Sequence, residues 1–402
     1  MLRLQKSELK VLRAVFSAGK VTRSTLARRS HLSLVKISSI LGKLETEGFL
    51  LKDGKTRSAS GRPSYLFRLR PELACALGVS VGVDHFRVVG MDGAKRAFLR
   101  REFPLQLAAD PATHSQAVVG RLSEELERIL AHELPCAHQV TALGVALPGL
   151  IDTRTGTWLQ GLWLSGIAQV PIVRLLAERL ILPVFIDDIA RSAAYYEMHL
   201  GAGRGLRDFV LIYLGSGVGS GVVINRRIYR GFHGLAGEIG HIEHPANAYR
   251  CSCSNVGCLE TMISPAGILR VFRDRLAEGV ISSLQREPGE LDLSRILAAA
   301  DQEDRFARAT LHEIGGFLGD ACAILIKMFN PQRLVVSGAG AVFRDYFAAP
   351  VDEVIRRRVL PEMLVDYRTV FADYQSFQEA HGAALAAMNR YLDRRLAGPE
   401  GG

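Results

Sequence analysis

The chain of 402 residues contains no run of eighteen apolar residues, so no membrane-spanning helix is expected. Its opening, MLRLQKSELK, carries Lys6, Glu8 and Lys10 and lacks an apolar segment, so it does not read as a secretion signal. Cysteine is scarce. Six residues are too few for a disulfide scaffold, and three of them fall within Cys251–Cys258, which points to a metal rather than to bridges. The 39 glycines and 15 prolines are spread without a period, which excludes collagen-like and low-complexity classes. What remains, 48% hydrophobic and 23% charged, is a globular composition long enough for about two to three domains. We expect a soluble, cytoplasmic protein with no membrane partner.

The net charge of +9 is concentrated at one end. Residues 1–70 hold 16 Lys and Arg against 4 Asp and Glu, whereas the rest of the chain holds 34 against 37. A basic head on a near-neutral body is the electrostatic footprint of a polyanion binder. A merely solvated basic face would give the same count, and the pattern within the segment decides between them.

Ser7–Phe16 places Leu9, Leu12, Val15 and Phe16 on one helical stripe, with Ser7 as a candidate cap and Gly19 as its end. Thr22 can cap a second short helix with Leu26 and Ala27 inward and Arg28 and Arg29 outward. After a turn at His31–Leu32, Ser33 can cap a third helix that buries Val35 or Ile37, then Ile40, Leu41 and Leu44, and ends at Gly48. Two short helices joined by so tight a turn form the DNA-reading helix-turn-helix, with the second helix in the major groove. Its first turns offer Ser33, Leu34, Lys36, Ser38 and Ser39. Lysine and serine can reach base edges or phosphates, and leucine can touch a thymine methyl. Strand-like runs at Phe49–Lys52 and Tyr65–Arg68 flank DGKTRSASGRP, a basic, glycine-bearing loop that reads as a wing carrying Arg57 and Arg62. Residues 1–70 are therefore expected to be a winged helix-turn-helix that binds double-stranded operator DNA. The competing reading is a small helical protein-interaction module.

Residues 71–76 read as a linker. Beyond them, strands near Leu77–Val83, Phe86–Met91, Phe98–Pro104 and Val140–Ala146, with a long helix at Pro111–His132, give an α/β sheet. A second series runs from Val210–Leu214 through a glycine run to Gly221–Ile224, with Leu334–Ser337 late in the chain. Two α/β halves suggest a ligand cleft. The stretch YLGSGVGSGVVINRRIYRGFHGLAGEIGH resembles the glycine-rich signature of the ROK family (repressors, open reading frames and sugar kinases), and RCSCSNVGCLE resembles that family's zinc element. The resemblance covers essentially the whole chain. It implies a two-lobed actin-like, hexokinase-like (ASKHA) body behind the winged head, with lobes at residues 77–190 and 191–402 and a C-terminal helix that returns to the first lobe.

His241, Cys251, Cys253 and Cys258 form His-x9-Cys-x-Cys-x4-Cys. Three thiolates and an imidazole suit tetrahedral zinc, and four protein ligands leave no open position, so the site is expected to be structural. The bland alternative is three reduced cysteines beside an unrelated histidine. His244 has the wrong offset, and Cys75, Cys136 and Cys322 read as core thiols.

The resemblance also marks what a sugar kinase would need and this chain lacks. Where those kinases carry a D-x-G-G-T-like strand end, this chain has Ser80-Val81-Gly82-Val83-Asp84. Where they carry a segment like VFVENDARAAALGE, it reads VFIDDIARSAAYYE, which aligned without gaps puts Ile189 in the place of the catalytic Asp; a one-residue slip would put Asp188 there but spoil the match at Ala190-Arg191 and Glu197. Isoleucine cannot accept a proton, so no catalytic residue is assigned and the chain is expected not to be an enzyme. The resemblance places Glu238, His241 and Glu260 at the sugar contacts, with Asp188 as a further acceptor and Trp163 on the pocket floor. Alternatively, Glu238 and Glu260 only brace the zinc loop. The expected function is a DNA-binding transcriptional regulator, a repressor, controlled by a sugar or sugar derivative and working as a homodimer or higher homo-oligomer. Two rivals stay open. One is a sugar kinase retaining a DNA-binding arm, and the other is a DNA-binding protein with a vestigial pocket controlled by a protein partner.

Overall fold

The computed structural model describes residues 4–58, 61–107, 110–135, 139–162, 164–285 and 290–397. The head is built on α1 (Lys6–Ala18), α2 (Arg23–Ser30) and α3 (Leu34–Thr46), whose apolar stripes meet so that Leu12, Val15, Leu26, Ile37 and Leu44 are all buried. Strand β1 (Val21–Thr22) pairs with β3 (Gly61–Leu69), which forms a hairpin with β2 (Leu50–Ser58). Both polar caps expected between the helices form. Thr22 Oγ1 accepts from Thr25 N at 3.3 Å and Ser33 Oγ from Lys36 N at 3.2 Å, each satisfying an orphan amide at a helix start. Ser7 is not a cap, because the first helix already begins at Lys6. Glu8 Oε2 accepts from Gln5 N at 2.8 Å there, closing the end with Gln5 as the cap, two residues earlier than expected. Val35 is not core either, since it is 81% exposed and Ile37 alone takes the inward position.

The first lobe comprises β4 (Cys75–Val81), β5 (His85–Met91), β6 (Ala97–Pro104), α4 (His114–His132) and β7 (Val140–Leu147). A small sheet of β8 (Leu150–Asp152), β9 (Thr157–Gln160) and β10 (Ala168–Val170) follows, then α5 (Ile172–Leu180), β11 (Val184–Asp188) and α6 (Ile189–His199). Its main sheet has the order β11-β7-β4-β5-β6, with β11, β7 and β4 parallel. The second lobe holds β12 (Phe209–Leu214), β13 (Val218–Ile224), β14 (Arg227–Ile228), α7 (Glu260–Ile263), α8 (Pro265–Ala277), α9 (Leu293–Asp301) and α10 (Arg305–Phe329). It ends with β15 (Arg333–Ser337), α11 (Arg344–Arg358), β16 (Arg368–Phe371) and α12 (Gln378–Ala397). Its sheet order is β14-β13-β12-β15-β16.

Two features bear on the expected division of the body. The border at residues 190 and 191 falls inside α6, which continues directly from β11, and the second sheet starts only at Phe209. The final helix α12 lies across β4 and β7 of the first sheet, at a range so close that a Cβ on Gly78 would strike the Ala380 carbonyl. Helix α10 is long and apolar enough to cross a membrane, but 72% of its most apolar stretch is buried inside the protein, where it packs on α11.

The head is joined to the body by more than the chain. Arg13 of α1 pairs with Asp393 of α12 at 2.6 Å. The end of α1 is held from both lobes, since Lys95 Nζ donates to Ser17 O at 3.1 Å and Arg226 Nη2 to Ser17 Oγ at 2.6 Å.

Candidate functional site

A cleft opens where the carboxyl ends of the parallel strands β7 and β11 meet the β12–β13 hairpin, the usual place for a ligand in an α/β sheet. Pro148 and Gly149 line one side, Asp188 and Ile189 the floor, and Tyr213, Ser216 and Gly217 the other side, with Glu238, His241 and Glu260 closing it. The glycine run does more here than make a turn, for β13 already starts at Val218. A side chain on Gly221 would strike Ala194, so this glycine lets α6 press against the hairpin and brings Asp188 into the cleft.

Asp188 caps α6, accepting from Arg191 N at 2.7 Å, and its other oxygen pairs with Arg191 Nη2 at 2.6 Å. Arg191 is itself buried and donates through Nε to Asp187 at 2.6 Å, while Arg230 Nη2 reaches the second Asp187 oxygen at 2.5 Å and Arg390 lies 3.7 Å away. Burial alone would raise the Asp187 carboxyl, but Arg230, Arg191 and Arg390 outweigh it and hold it at about 2. Asp187 was not singled out from the sequence. Two of its partners lie some 40 and 200 positions away, and nothing local announces them.

Glu260 is buried and ties the loop after Cys258 to the hairpin by accepting from Val218 N at 2.9 Å. Glu238 has no side-chain partner among the described residues. Burial, reinforced by Asp188 and Glu260 and only partly offset by Arg191, raises its carboxyl to about 7. The four expected ligand contacts therefore do come together around one cleft. Trp163 lies outside the described residues. The Ser80–Asp84 turn is not among the residues lining the cleft, and Asp84 instead meets His85 Nδ1 at 2.6 Å.

Beside the cleft, the donor atoms of His241, Cys251, Cys253 and Cys258 all lie within 4.8 Å of one another. Cys253 Sγ is 3.5 Å from Cys258 Sγ, and Cys251 Sγ is 3.7 Å from His241 Nδ1. Such spacings suit four ligands around one tetrahedral cation at roughly 2.0–2.3 Å, so the residues fit a metal such as zinc. His244 is engaged elsewhere, its Nε2 on Asp320 Oδ2 at 3.0 Å. Cys75 and Cys322 are buried core thiols, and Cys136 lies outside the described residues.

On the head, Ser33, Leu34, Lys36 and Ser39 are exposed along the start of α3, and Leu34 is joined by Val35 to make an apolar pair the sequence reading had split. Ser38 is less available, since its hydroxyl donates to Leu34 O at 2.8 Å and accepts from Arg23 Nη1 at 3.1 Å. Arg57 and Arg62 fall on the two wing strands, with side chains outside the described part.

A three-helix head with a β-hairpin, carried on a two-lobed actin–hexokinase type body with a His/Cys cluster against its cleft, defines the class. The chain belongs to the ROK family, whose sequence profile matches residues 76–390. It is 25% identical to the xylose repressor of Caldicellulosiruptor bescii over 88% of both chains. It is 32% identical to a glucokinase of Halalkalibacterium halodurans over 70% of this chain and 87% of that one. Among solved structures it resembles a ROK family transcriptional regulator described as a homologue of the E. coli MLC protein. That match has a TM-score of 0.78 and 25% identity, and it covers 96% of this chain and 97% of the other.

Proposed function

We propose that this chain is a transcriptional repressor that binds operator DNA through its winged helix-turn-helix head and is controlled by a sugar or sugar derivative in the cleft. The observation that carries the ligand reading is Glu238, a carboxyl with no side-chain partner among the described residues, facing Asp188 and Glu260. Vicinal hydroxyls donate to such groups and relieve their desolvation. The repressor reading draws support from the likeness to the xylose repressor and to the regulator structure, the latter covering 96% of this chain and so most of the head as well as the body. Zinc at His241, Cys251, Cys253 and Cys258 is structural, and His241, which also lines the cleft, couples its loop to the ligand. Two heads in a homodimer would read paired half-sites.

The test is anisotropy of a labelled duplex selected from a random pool, titrated with protein in the presence of xylose, glucose and N-acetylglucosamine. One sugar class is expected to change the affinity about tenfold, which corresponds to about 1.4 kcal/mol of coupling. Indifference to every sugar would favour the partner-controlled reading, and absence of any DNA preference would sink the proposal. In the same assay, Lys36→Ala is expected to weaken binding and lower the slope of log affinity against log salt by about one. An unchanged slope would remove Lys36 from the interface.

Phosphoryl transfer is not expected. A sugar kinase needs a carboxylate free to take a hydroxyl proton; where the family's kinases place theirs, Ile189 offers none and both neighbouring Asp188 oxygens rest on Arg191, which leaves Glu238 as the unpartnered carboxyl among the described cleft residues. Incubation with Mg-ATP and each sugar should give no ADP above the protein-free rate. Sugar-dependent turnover lost in Asp188→Asn would reinstate the kinase reading.

A further inference from the structure

Between the head and the second lobe runs a solvent-open groove of about 1260 Å³, distinct from the sugar cleft. Lys20 and Arg29 line it from the head, and Arg204, Arg226 and Arg333 from the body, whereas no aspartate or glutamate does among the described residues. Some of these charges are engaged. Lys20 pairs with Asp53 at 2.7 Å, Arg333 donates to Ala202 O at 2.6 Å, and Arg226 holds Ser17 Oγ and Leu206 O. Arg29 and Arg204 have neither an ion pair nor a side-chain hydrogen bond among the described residues, and both are exposed.

The positive field is felt by the neighbours. Burial, then Arg226 and Arg204, lowers the Lys95 ammonium to about 7. Burial, then Arg29, lowers Arg226. His199, which also lines the groove, is pushed well down by burial, Lys95 and Arg226. Arg29, Arg204 and Arg226, which have no carboxylate partner among the described residues, repel one another, and that repulsion acts against docking of the head unless an anion offsets it.

We propose that this groove is a phosphate-binding site in which Arg29 of the head and Arg204 of the body grip one oxyanion between them. Guanidinium forks match phosphate geometry and bind it bidentately. Because the two arginines sit on opposite sides of the junction, the bound phosphate fixes the head against the second lobe. The source can be a free phosphorylated small molecule or a backbone phosphate of bound DNA, and the chemistry is the same. The inference does not rest on the sugar reading, for it uses neither the cleft nor the zinc element.

The experiment compares the wild-type full chain with the Arg29→Ala/Arg204→Ala double variant and with Arg204→Gln alone. Melting is followed in 10 mM inorganic phosphate against potassium chloride of equal ionic strength. Phosphate is expected to raise the wild-type midpoint by about 3 °C, to do less in Arg204→Gln, and to have no effect on the double variant. The second arm is DNA affinity against salt in the absence of phosphate. An unchanged slope in the double variant assigns the site to a small phosphorylated ligand, and a slope lowered by about two assigns it to the DNA backbone. A phosphate shift equal in all three proteins, or absent from the wild type, overturns the proposal.

Discussion

Asp187→Ala is expected to cost about 3–5 kcal/mol of unfolding free energy, the effect of removing one partner from a buried ion cluster. Asp187 is 4% exposed and Arg191 1%, so neither water nor a rotamer change can replace the lost carboxylate. Arg191 would keep Asp188 as its one charged partner besides the Ala236 carbonyl, while Arg230 and Arg390 would lose their common anion. Chemical denaturation should show the midpoint shift, and a loss under about 1 kcal/mol would mean that the cluster relaxes and is not tightly held. The charge is robust toward acid. The folded carboxyl sits at about 2, below the ordinary 3.8, so its contribution is complete above pH 3.8 and is lost as pH falls through about 2. Mild acid should therefore not mimic the mutation.

The same cluster spans the distance from ligand to head. Asp188 in the cleft rests on Arg191, Arg191 on Asp187, and Asp187 near Arg390 of α12. One turn further along α12, Asp393 holds Arg13 of α1. A sugar hydroxyl that draws Asp188 away from Arg191 would be felt along this row. Arg13→Ala, which touches nothing in the cleft, is accordingly expected to leave sugar affinity unchanged and to reduce the sugar effect on DNA binding.

What could be read from the sequence follows the range of the interactions. The four candidate metal ligands lie within 18 positions and are chemically distinctive, and the structure gathers their donor atoms within 4.8 Å of one another. The caps Thr22 and Ser33 act through amides three residues on, so local order was enough. Val35 failed because an apolar residue next to a buried stripe is ambiguous by type. Its angle on the α3 wheel, set by Ile37, Ile40, Leu41 and Leu44, was the better guide. The Gly219 and Gly221 positions resemble a phosphate loop in sequence, yet their neighbours are Ala190 and Ala194 of α6, a closeness visible only in three dimensions. Asp187, Arg230 and Arg390 are each ordinary surface residue types, and only the fold makes them a core. The same holds for Tyr213, which lines the cleft while its hydroxyl donates to buried Glu379 at 2.7 Å.

Loss of the metal should be as costly as loss of Asp187, and through a different element. We expect one zinc per chain by atomic emission, and expect Cys258→Ser to lose it and about 4–5 kcal/mol of stability. Cys258 is fully buried, and the segment from His241 to Glu260 is held by two isolated β-bridges and the Asn247 side chain rather than by a strand or a long helix, so a metal on its four donors would add its main cross-link. The loop bridges to the cleft at two points, His241 in its wall and Glu260 on the Val218 amide that starts β13. Chelation should therefore abolish the sugar response before it abolishes DNA binding, because the head has its own apolar core around Leu12, Leu26 and Leu44. His244→Ala is the control. It removes the contacts to Asp320, Ala246 N and the Phe317 ring but no donor of the cluster, and should leave the zinc content at one. A chelated protein that holds no zinc yet melts and responds to sugar like the untreated one would show that the four residues pack as a plain thiol core.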